Sequence, residues 1–415
     1  MAAVAPGAPG ALAGLRVLDL SRVLAGPWCS QLLADLGADV VKVERPGSGD
    51  DTRAWGPPWL ARDDGEDGGG ESAYFLSANR NKRSLTADLA QPDGQRLVRE
   101  LALRADVLIE NFKVGDLARY GLDYDSLKAL NPRLVYCSIT GFGQTGPYAQ
   151  RPGYDFLMQG MGGLMSITGR PAGEPGAGPL KVGVALTDVM TGLYASVAVL
   201  AAIERRHSSG TGQYIDLALL DVQVAALANQ ASSYLVGGQV PQRMGNAHPS
   251  IVPYQDFPTA DGHMIVTVGN DSQFAAFAAV LGRPGWAQDE RFATNPQRVR
   301  HRVELIALIR DITATRSTDD WVAAMEVAKV PCGPINTLDR VFANPQVRAR
   351  GMQIEMPHAQ AAAVPLVGNP IRLSESPVDY RRAPPTLGQH TDDVLADWLA
   401  LDAPAIDELR RRGIV

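Results

Sequence analysis

The sequence predicts an α/β protein: a parallel sheet with helices on its faces, and a smaller second domain. Three observations predict it. Strand-like and helix-like segments alternate through the first third of the chain, and their spacing leaves room for helical crossovers. Near Gly245 the texture changes to strand-like runs followed by polar helices.

Arg16-Val-Leu-Asp-Leu20 reads as a buried strand, Ala25-Gly-Pro27 as a turn, and the stretch to about Leu36 as a helix. Asp39-Val-Val-Lys-Val43 is the second strand, which completes a βαβ unit. The Gly/Asp-rich segment Arg62 to Glu71 is expected to be a mobile surface loop. A second alternation follows: helix Pro92–Arg104, strand Asp106–Glu110, helix Tyr124–Leu130 and strand Leu134–Ile139. Between Gly153 and Arg206, two apolar helical stretches flank a loop rich in Gly and Pro. Beyond Gly245, His263-Met-Ile-Val-Thr-Val268 reads as a strand and Ser272 to Val330 as polar helices. The tail holds a further strand-like run, then Leu387-Gly-Gln-His-Thr391 and a final helix. No internal repeat or sustained heptad is present.

At 415 residues the chain is too long for one ordinary core, so two domains are the default expectation. A net charge of -6 argues against nucleic acid or an anionic membrane as the main partner. No run approaches the 18 or so consecutive apolar residues of a membrane span. The start of the chain has no basic residue before Arg16, so neither a secretory signal nor a mitochondrial transit peptide is expected. Cys29, Cys137 and Cys332 are widely spaced, which predicts neither a disulfide framework nor a zinc site. Together these features predict a reduced, cytoplasmic compartment.

A βαβ start invites a dinucleotide reading, but the turn Leu24-Ala-Gly-Pro27 contains no GxGxxG. Basic residues follow the expected strand ends: Arg45, then Asn79-Arg-Asn-Lys-Arg83, and later Arg119. Either they hold an anionic ligand such as a phosphorylated ADP group, or they are solvated surface charges. Asp188 stands between a short apolar run and a helical stretch, at an expected helix N-terminus. It is either an N-cap or a carboxylate nucleophile held by the same amides, and patterning alone does not choose. His248 and His390 lack the context of a catalytic base, although Gly245–Ser250 has the composition of an active-site flap. The cysteines read as small core residues.

Ordered blocks along nearly the whole chain resemble the class III CoA-transferases, the family that includes formyl-CoA transferase and carnitine CoA-transferase. They are Ser21-Arg-Val-Leu-Ala-Gly-Pro27, Gly37-Ala-Asp-Val-Val-Lys-Val-Glu-Arg-Pro-Gly47 and Asn79-Arg-Asn-Lys-Arg-Ser84. Glu110-Asn-Phe112, Thr140-Gly-Phe-Gly143, Arg151-Pro-Gly-Tyr-Asp155 and the Asp188 segment complete the set. Gly49-Asp-Asp-Thr-Arg-Ala-Trp-Gly-Pro-Pro58, Tyr136 to Pro147, Ser250-Ile-Val-Pro-Tyr-Gln255 and Leu387 to Thr391 are similar to the succinyl-CoA:glutarate branch of that family.

The resemblance implies a large Rossmann-like domain with a parallel sheet and a smaller α+β domain, in an interlocked homodimer. Residues 1–220 and 340–415 would form the CoA-binding domain and residues 235–330 the small one. Asp188 matches the catalytic aspartate. Leu24, Ala25, Arg45, Asn79, Arg80, Asn81, Lys82, Asn111, Phe112 and Arg119 match CoA-binding positions, and Arg151 aligns with a basic CoA contact. No metal and no tightly bound cofactor are implied. Coenzyme A enters as the acyl-CoA substrate, moving from a donor such as succinyl-CoA to a dicarboxylic acid such as glutarate. Leu24 stands where formyl-CoA transferase has glutamine, and Gly245-Asn-Ala-His-Pro249 replaces its glycine flap, which leaves room for an acid longer than one or two carbons. The family's α-methylacyl-CoA racemases place a histidine before an acid; here that pair is Tyr154-Asp155, and tyrosine, with an ordinary pKa near about 10, is a poor base at neutral pH. An α-methylacyl-CoA racemase-like isomerase and a catalytically silent CoA-binding protein are the two alternatives.

Overall fold

A computed structural model describes residues 9–63 and 70–415. The expected loop Arg62–Glu71 therefore falls largely outside the described residues. The chain forms two compact units, one from Met1–Leu164, Lys181–Gly237 and Gln346–Val415, the other from Met165–Leu180 and Gly238–Pro345.

The strands of the first unit's main sheet are β1 (Arg16–Asp19), β2 (Asp39–Glu44), β3 (Lys82–Thr86), β4 (Val107–Glu110), β5 (Val135–Thr140) and β6 (Tyr214–Ala218). They pair in the order β3-β2-β1-β4-β5-β6, all parallel. Chain order reverses between β1 and β4, and an open α/β sheet has its ligand crevice at such a point, beyond the carboxyl ends of the strands. Helices α1 (Ala25–Asp35), α2 (Ala73–Ser77), α3 (Pro92–Arg104), α4 (Tyr124–Leu130), α5 (Asp155–Met161), α6 (Leu164–Ile167), α7 (Leu186–Ser209), α8 (Leu219–Ala226) and α9 (Ala228–Gly237) follow in sequence.

Strand side chains alternate between two cores. Leu18, Val41 and Leu108 pack with α3 and α4, whereas Val17, Val40 and Val107 pack with α1 and α7. Because both faces are buried, these strands read as continuous apolar runs.

The second unit is built on the antiparallel sheet β7 (Tyr254–Pro258), β8 (His263–Thr267) and β9 (Cys332–Pro334). Its helices are α10 (Asp271–Val280), α11 (Asn295–Arg300), α12 (Arg302–Thr313), α13 (Thr318–Val327) and α14 (Leu338–Ala343). Phe257, Phe274, Phe277 and Trp321 fill its core. The chain continues through α15 (Pro345–Ala349) to the antiparallel pair β10 (Gln353–His358) and β11 (Ala361–Val367), then α16 (Thr391–Leu399) and α17 (Ala403–Arg411). The tail covers the β3 edge, with His390 N–H donating to the Ser84 carbonyl at 2.9 Å.

Two sequence expectations are corrected. Ala25-Gly-Pro27 is the first turn of α1, where a proline is tolerated because its missing N–H would have no intrahelical partner. Strands β3 and β6 were not expected; Lys-Arg-Ser-Leu-Thr in β3 is buried because ion pairs replace apolar packing. Leu186–Ser209 has the length and mean hydropathy of a membrane span, although polar residues such as Asp188, Thr191 and Ser196 interrupt its apolar run. In the fold it is a core helix whose buried side carries Asp188, Ala195, Val199 and Arg206.

Candidate active site

At the switch point the loops after β1 and β4 are tied together. Arg22 N–H donates to Asn111 Oδ1 at 2.9 Å, and Asn111 Nδ2 donates to the Arg22 carbonyl at 2.8 Å. Val23, between Arg22 and the start of α1, adopts φ 71°. For a β-branched residue this left-handed conformation costs about 1–3 kcal/mol, and strain of that kind clusters at functional sites.

Two cavities open there. One, of about 210 Å³, is lined by Leu24, Ala25, Asn111, Arg151, Tyr154 and Asp188, among others. The other, of about 470 Å³, is lined by Arg45, Arg119, Tyr120 and the segment Ala87–Ala90. Arg22, Asp51, Phe112 and Asp116 line both, so the cavities share a wall.

Asp188 is only 7% exposed, and its location in the first turn of α7 differs from the expected N-cap. That cap residue is Ala185, which offers no side-chain acceptor. Asp155 supplies one instead: its Oδ1 accepts the Thr187 N–H at 2.8 Å and the Asp188 N–H at 3.3 Å. Gln159 steadies Asp155 from the next turn of α5, with Nε2 donating to Asp155 Oδ2 at 2.7 Å, and its Oε1 accepts the Val182 N–H at 2.8 Å. Among the described residues, no hydrogen bond is made to either carboxylate oxygen of Asp188. Burial, and then the negative charge of Asp155, push the Asp188 carboxyl up to about 7. A buried, cleft-facing acid with a raised pKa and free lone pairs has the properties of a nucleophile or proton carrier.

Close packing sets the approach to this acid. A Cβ at Gly192, one turn along α7 from Asp188, would lie 2.7 Å from the Ala25 carbonyl oxygen and 2.9 Å from Trp28 Cβ. Only glycine lets α7 come this near to α1. At Gly153, in the loop lining the smaller cavity, a Cβ would meet Met158 Cε at 2.2 Å.

Leu24, Ala25, Arg45, Asn111, Phe112, Arg119 and Arg151 line one or both cavities. Arg119 pairs with Asp116 at 2.8 Å, and Arg151 lies over the Tyr148 ring at 4.5 Å. Among the described residues, Arg45 and Arg151 form no ion pair, so their charges are available to an anion.

Asn79, Arg80, Asn81 and Lys82 line neither cavity. They precede or open β3 rather than following a strand, and all four are buried. Arg80 Nη2 pairs with Asp35 at 2.5 Å and Lys82 Nζ with Asp19 at 3.2 Å, while Asn79 Oδ1 accepts from Lys82 at 2.9 Å. Asn81 Nδ2 donates to Asp35 at 2.8 Å. Their donors are spent on the scaffold.

Of the tempting histidines, His390 Nδ1 accepts from the Ser84 N–H at 3.3 Å at the edge of the sheet. His248 belongs to the second unit, where Arg302 Nη2 holds its carbonyl at 3.1 Å and that of Pro249 at 2.8 Å. Sequence reasoning did not single out Arg22 and Asp51 as site residues, although both lie in blocks that carry the family resemblance, and it missed Ala87–Ala90, which has no pattern that separates it from an ordinary loop. It also missed Tyr74: burial and the negative charges of Asp188 and Asp155 push its phenol up to about 12, so it remains a hydrogen-bond donor near the site. Among the described residues no group of His, Cys, Asp or Glu is arranged to hold a metal ion.

A family model described as CoA-transferase family III matches residues 12–391. A succinate–glutarate CoA-transferase of Agrobacterium fabrum is 52% identical over 95% of this chain and 97% of its own length. A human succinyl-CoA:glutarate CoA-transferase is 44% identical over 97% of this chain and 90% of its own. Among solved structures, a CAIB/BAIF family protein from Brucella suis superposes with a TM-score of 0.82 at 50% identity, covering 94% of this chain and 100% of that one.

Proposed function

The chain belongs to CoA-transferase family III and is a CoA-transferase, and from that premise we propose that it moves CoA from succinyl-CoA to a small dicarboxylic acid such as glutarate, with Asp188 as the covalent carrier. The observation that carries this reading is Asp188 itself: a buried carboxylate with no structural hydrogen bond, facing a narrow cavity that shares a wall with a wider one containing Arg45. On this reading the wider cavity takes the phosphorylated ADP group of CoA and the narrower one takes the pantetheine end and the acyl group. Arg45, Arg119 and Arg151 supply cation contacts, while Leu24, Ala25, Asn111 and Phe112 line the path. Asn79 to Lys82 act behind it, as scaffold.

Asp188 attacks the thioester carbonyl; the C–S bond breaks, CoA leaves as thiolate and a succinyl–aspartyl anhydride forms. The thiolate then attacks the Asp188 carbonyl and expels succinate, leaving CoA on Asp188 as a thioester. Glutarate attacks that thioester, releasing the thiolate and forming a glutaryl–aspartyl anhydride, and attack of the thiolate on the glutaryl carbonyl yields glutaryl-CoA and free Asp188. No bond energy is lost to hydrolysis, so neither ATP nor a metal is required. Splitting one exchange into covalent steps is the source of the acceleration. On this reading the oxyanions are stabilised by backbone amides at the start of α1, where Leu24 and Ala25 line the narrower cavity.

The working form on this reading is an interlocked homodimer in the cytoplasm, independent of nucleic acid and membrane; the net charge of -6 supports the last point. Residues 1–220 and 340–415 supply the CoA-binding domain and 235–330 the smaller one. A panel of acceptor acids with succinyl-CoA as donor tests the substrate class. Glutarate and its close homologues should be the best acceptors, and a preference for formate or for branched monocarboxylates would contradict it.

A further inference from the structure

We infer that Asp50, held by Lys42, is a positioning residue for the transfer reaction: it fixes the strained Val23 backbone and thereby sets the wall formed by Arg22, Leu24 and Ala25. The inference rests on the function proposed above for this cavity.

Val23 N–H donates to both Asp50 oxygens, each at 3.3 Å. Asp50 Oδ1 also accepts the Thr52 N–H at 3.0 Å and the Thr52 hydroxyl at 2.8 Å, while Oδ2 accepts Lys42 Nζ at 2.8 Å. Lys42 Nζ donates in turn to the Ser21 carbonyl at 2.8 Å. One carboxylate thus grips two loops far apart in sequence. The first carries Arg22 and the second Asp51; these line both cavities and pair across them at 3.0 Å. Asp50 belongs to the wall of the wider cavity, but its side chain, like that of Lys42, is fully buried and is turned to the Val23 and Thr52 amides.

A valine at positive φ persists only where its surroundings over-determine it. Here the over-determination is visible as the Asp50 clamp, and the segment it distorts leads into α1, with Val23, Leu24 and Ala25 all lining the narrower cavity. Burial would raise the Asp50 carboxyl, but the Lys42 charge and the hydrogen bonds from Lys42 and Thr52 outweigh it and hold it down at about 2. The clamp is therefore charged throughout the working range. The other ionisable groups in the field of the Lys42–Asp50 pair are Asp19, Glu44, Lys82 and Tyr74.

The test compares Asp50→Asn, Val23→Gly/Asp50→Asn and Lys42→Met with the parent enzyme. Asp50→Asn should lower kcat about 30- to 100-fold while KM for succinyl-CoA moves less than about threefold. Adding Val23→Gly should recover at least about tenfold of that loss, because glycine holds positive φ without a clamp. A role confined to folding would not be rescued by the glycine. In Lys42→Met the Asp50 carboxyl loses its counter-charge, so the acid limb of kcat should steepen to two ionisations where the parent enzyme has the single one of Asp188; this variant also decides the matter if Asp50→Asn does not fold. An unchanged kcat in Asp50→Asn, no rescue by glycine, or a Lys42→Met pH profile parallel to the parent would overturn the inference. Should the parent enzyme show no transfer, the proposed reaction fails separately, and a crystal structure of Asp50→Asn still reads the clamp: Val23 should relax to negative φ, and its retention at positive φ would overturn the inference.

Discussion

Asp155 Oδ1 accepts the backbone N–H of Asp188, at 3.3 Å, while the Asp188 carboxylate itself is left without a hydrogen bond among the described residues. The two acids divide the work. Asp155 satisfies the orphan amides at the start of α7, which an N-cap would otherwise do, and its charge disfavours ionisation of Asp188. Asp188 is thereby freed from a structural role and made more basic than an ordinary carboxylate.

The first prediction concerns pH. Only ionised Asp188 can attack a thioester, so the single-turnover rate of CoA transfer to the enzyme should rise through one ionisation near pH 7 and level off above pH 8. A rate constant independent of pH between 5 and 8 would count against a raised carboxyl.

The same shift has a stability consequence. The folded state holds the Asp188 proton up to about pH 7, whereas the unfolded chain releases it near the ordinary aspartate value of 3.8. This group's contribution to stability is therefore fully present below about pH 4 and lost as pH rises through 7. Asp188→Asn should remove that loss and make the protein more stable at pH 8, by up to roughly 4 kcal/mol, while abolishing transfer. Denaturant unfolding at pH 5 and pH 8 reads the difference.

Replacing Asp155 separates its two functions. Asp155→Asn keeps an acceptor for the α7 amides but removes the charge, so the acid limb of the rate profile should move to lower pH. Asp155→Ala should also lose about 1 kcal/mol of stability through the missing cap. A pH profile unmoved in Asp155→Asn would show that burial alone raises Asp188.

Arg45 and Arg80 should behave oppositely. Arg45→Ala removes an exposed, unpaired cation from the wider cavity, and should raise KM for succinyl-CoA by about 10- to 100-fold with little change in unfolding. Arg80→Ala leaves Asp35 buried without its partner and should cost about 3–5 kcal/mol of stability, with KM unchanged in the protein that remains folded. Steady-state kinetics and urea melts on the two variants distinguish these outcomes.

Much of the first unit's architecture was legible because its strands are buried on both faces and its helices have clear apolar sides. Pro92–Arg104 and Tyr124–Leu130 are helices at the expected boundaries, and β1, β2, β4 and β5 fall within a residue or so of expectation. Strand β3 was hidden by its charges: Lys82 and Arg83 read as surface residues until Asp19 and Asp39 are found beside them. The resemblance placed Asn79 to Lys82 among the ligand contacts, and their pattern could not test this, since a run of residues does not reveal whether a cation is paired internally or open to a cavity. Asp188 was visible as a singular acid at a helix start. Its cap could not be read, because Asp155 reaches it from another helix, and contacts of that separation have no local signature.

Mass spectrometry of Asp188-containing peptides, after the enzyme is quenched from a mixture with succinyl-CoA, tests the account most directly. A CoA thioester on Asp188, lost on addition of glutarate and absent from Asp188→Ala, is the predicted result. Turnover in Asp188→Ala within a few-fold of the parent enzyme, or a covalent adduct mapped to another side chain, would contradict it.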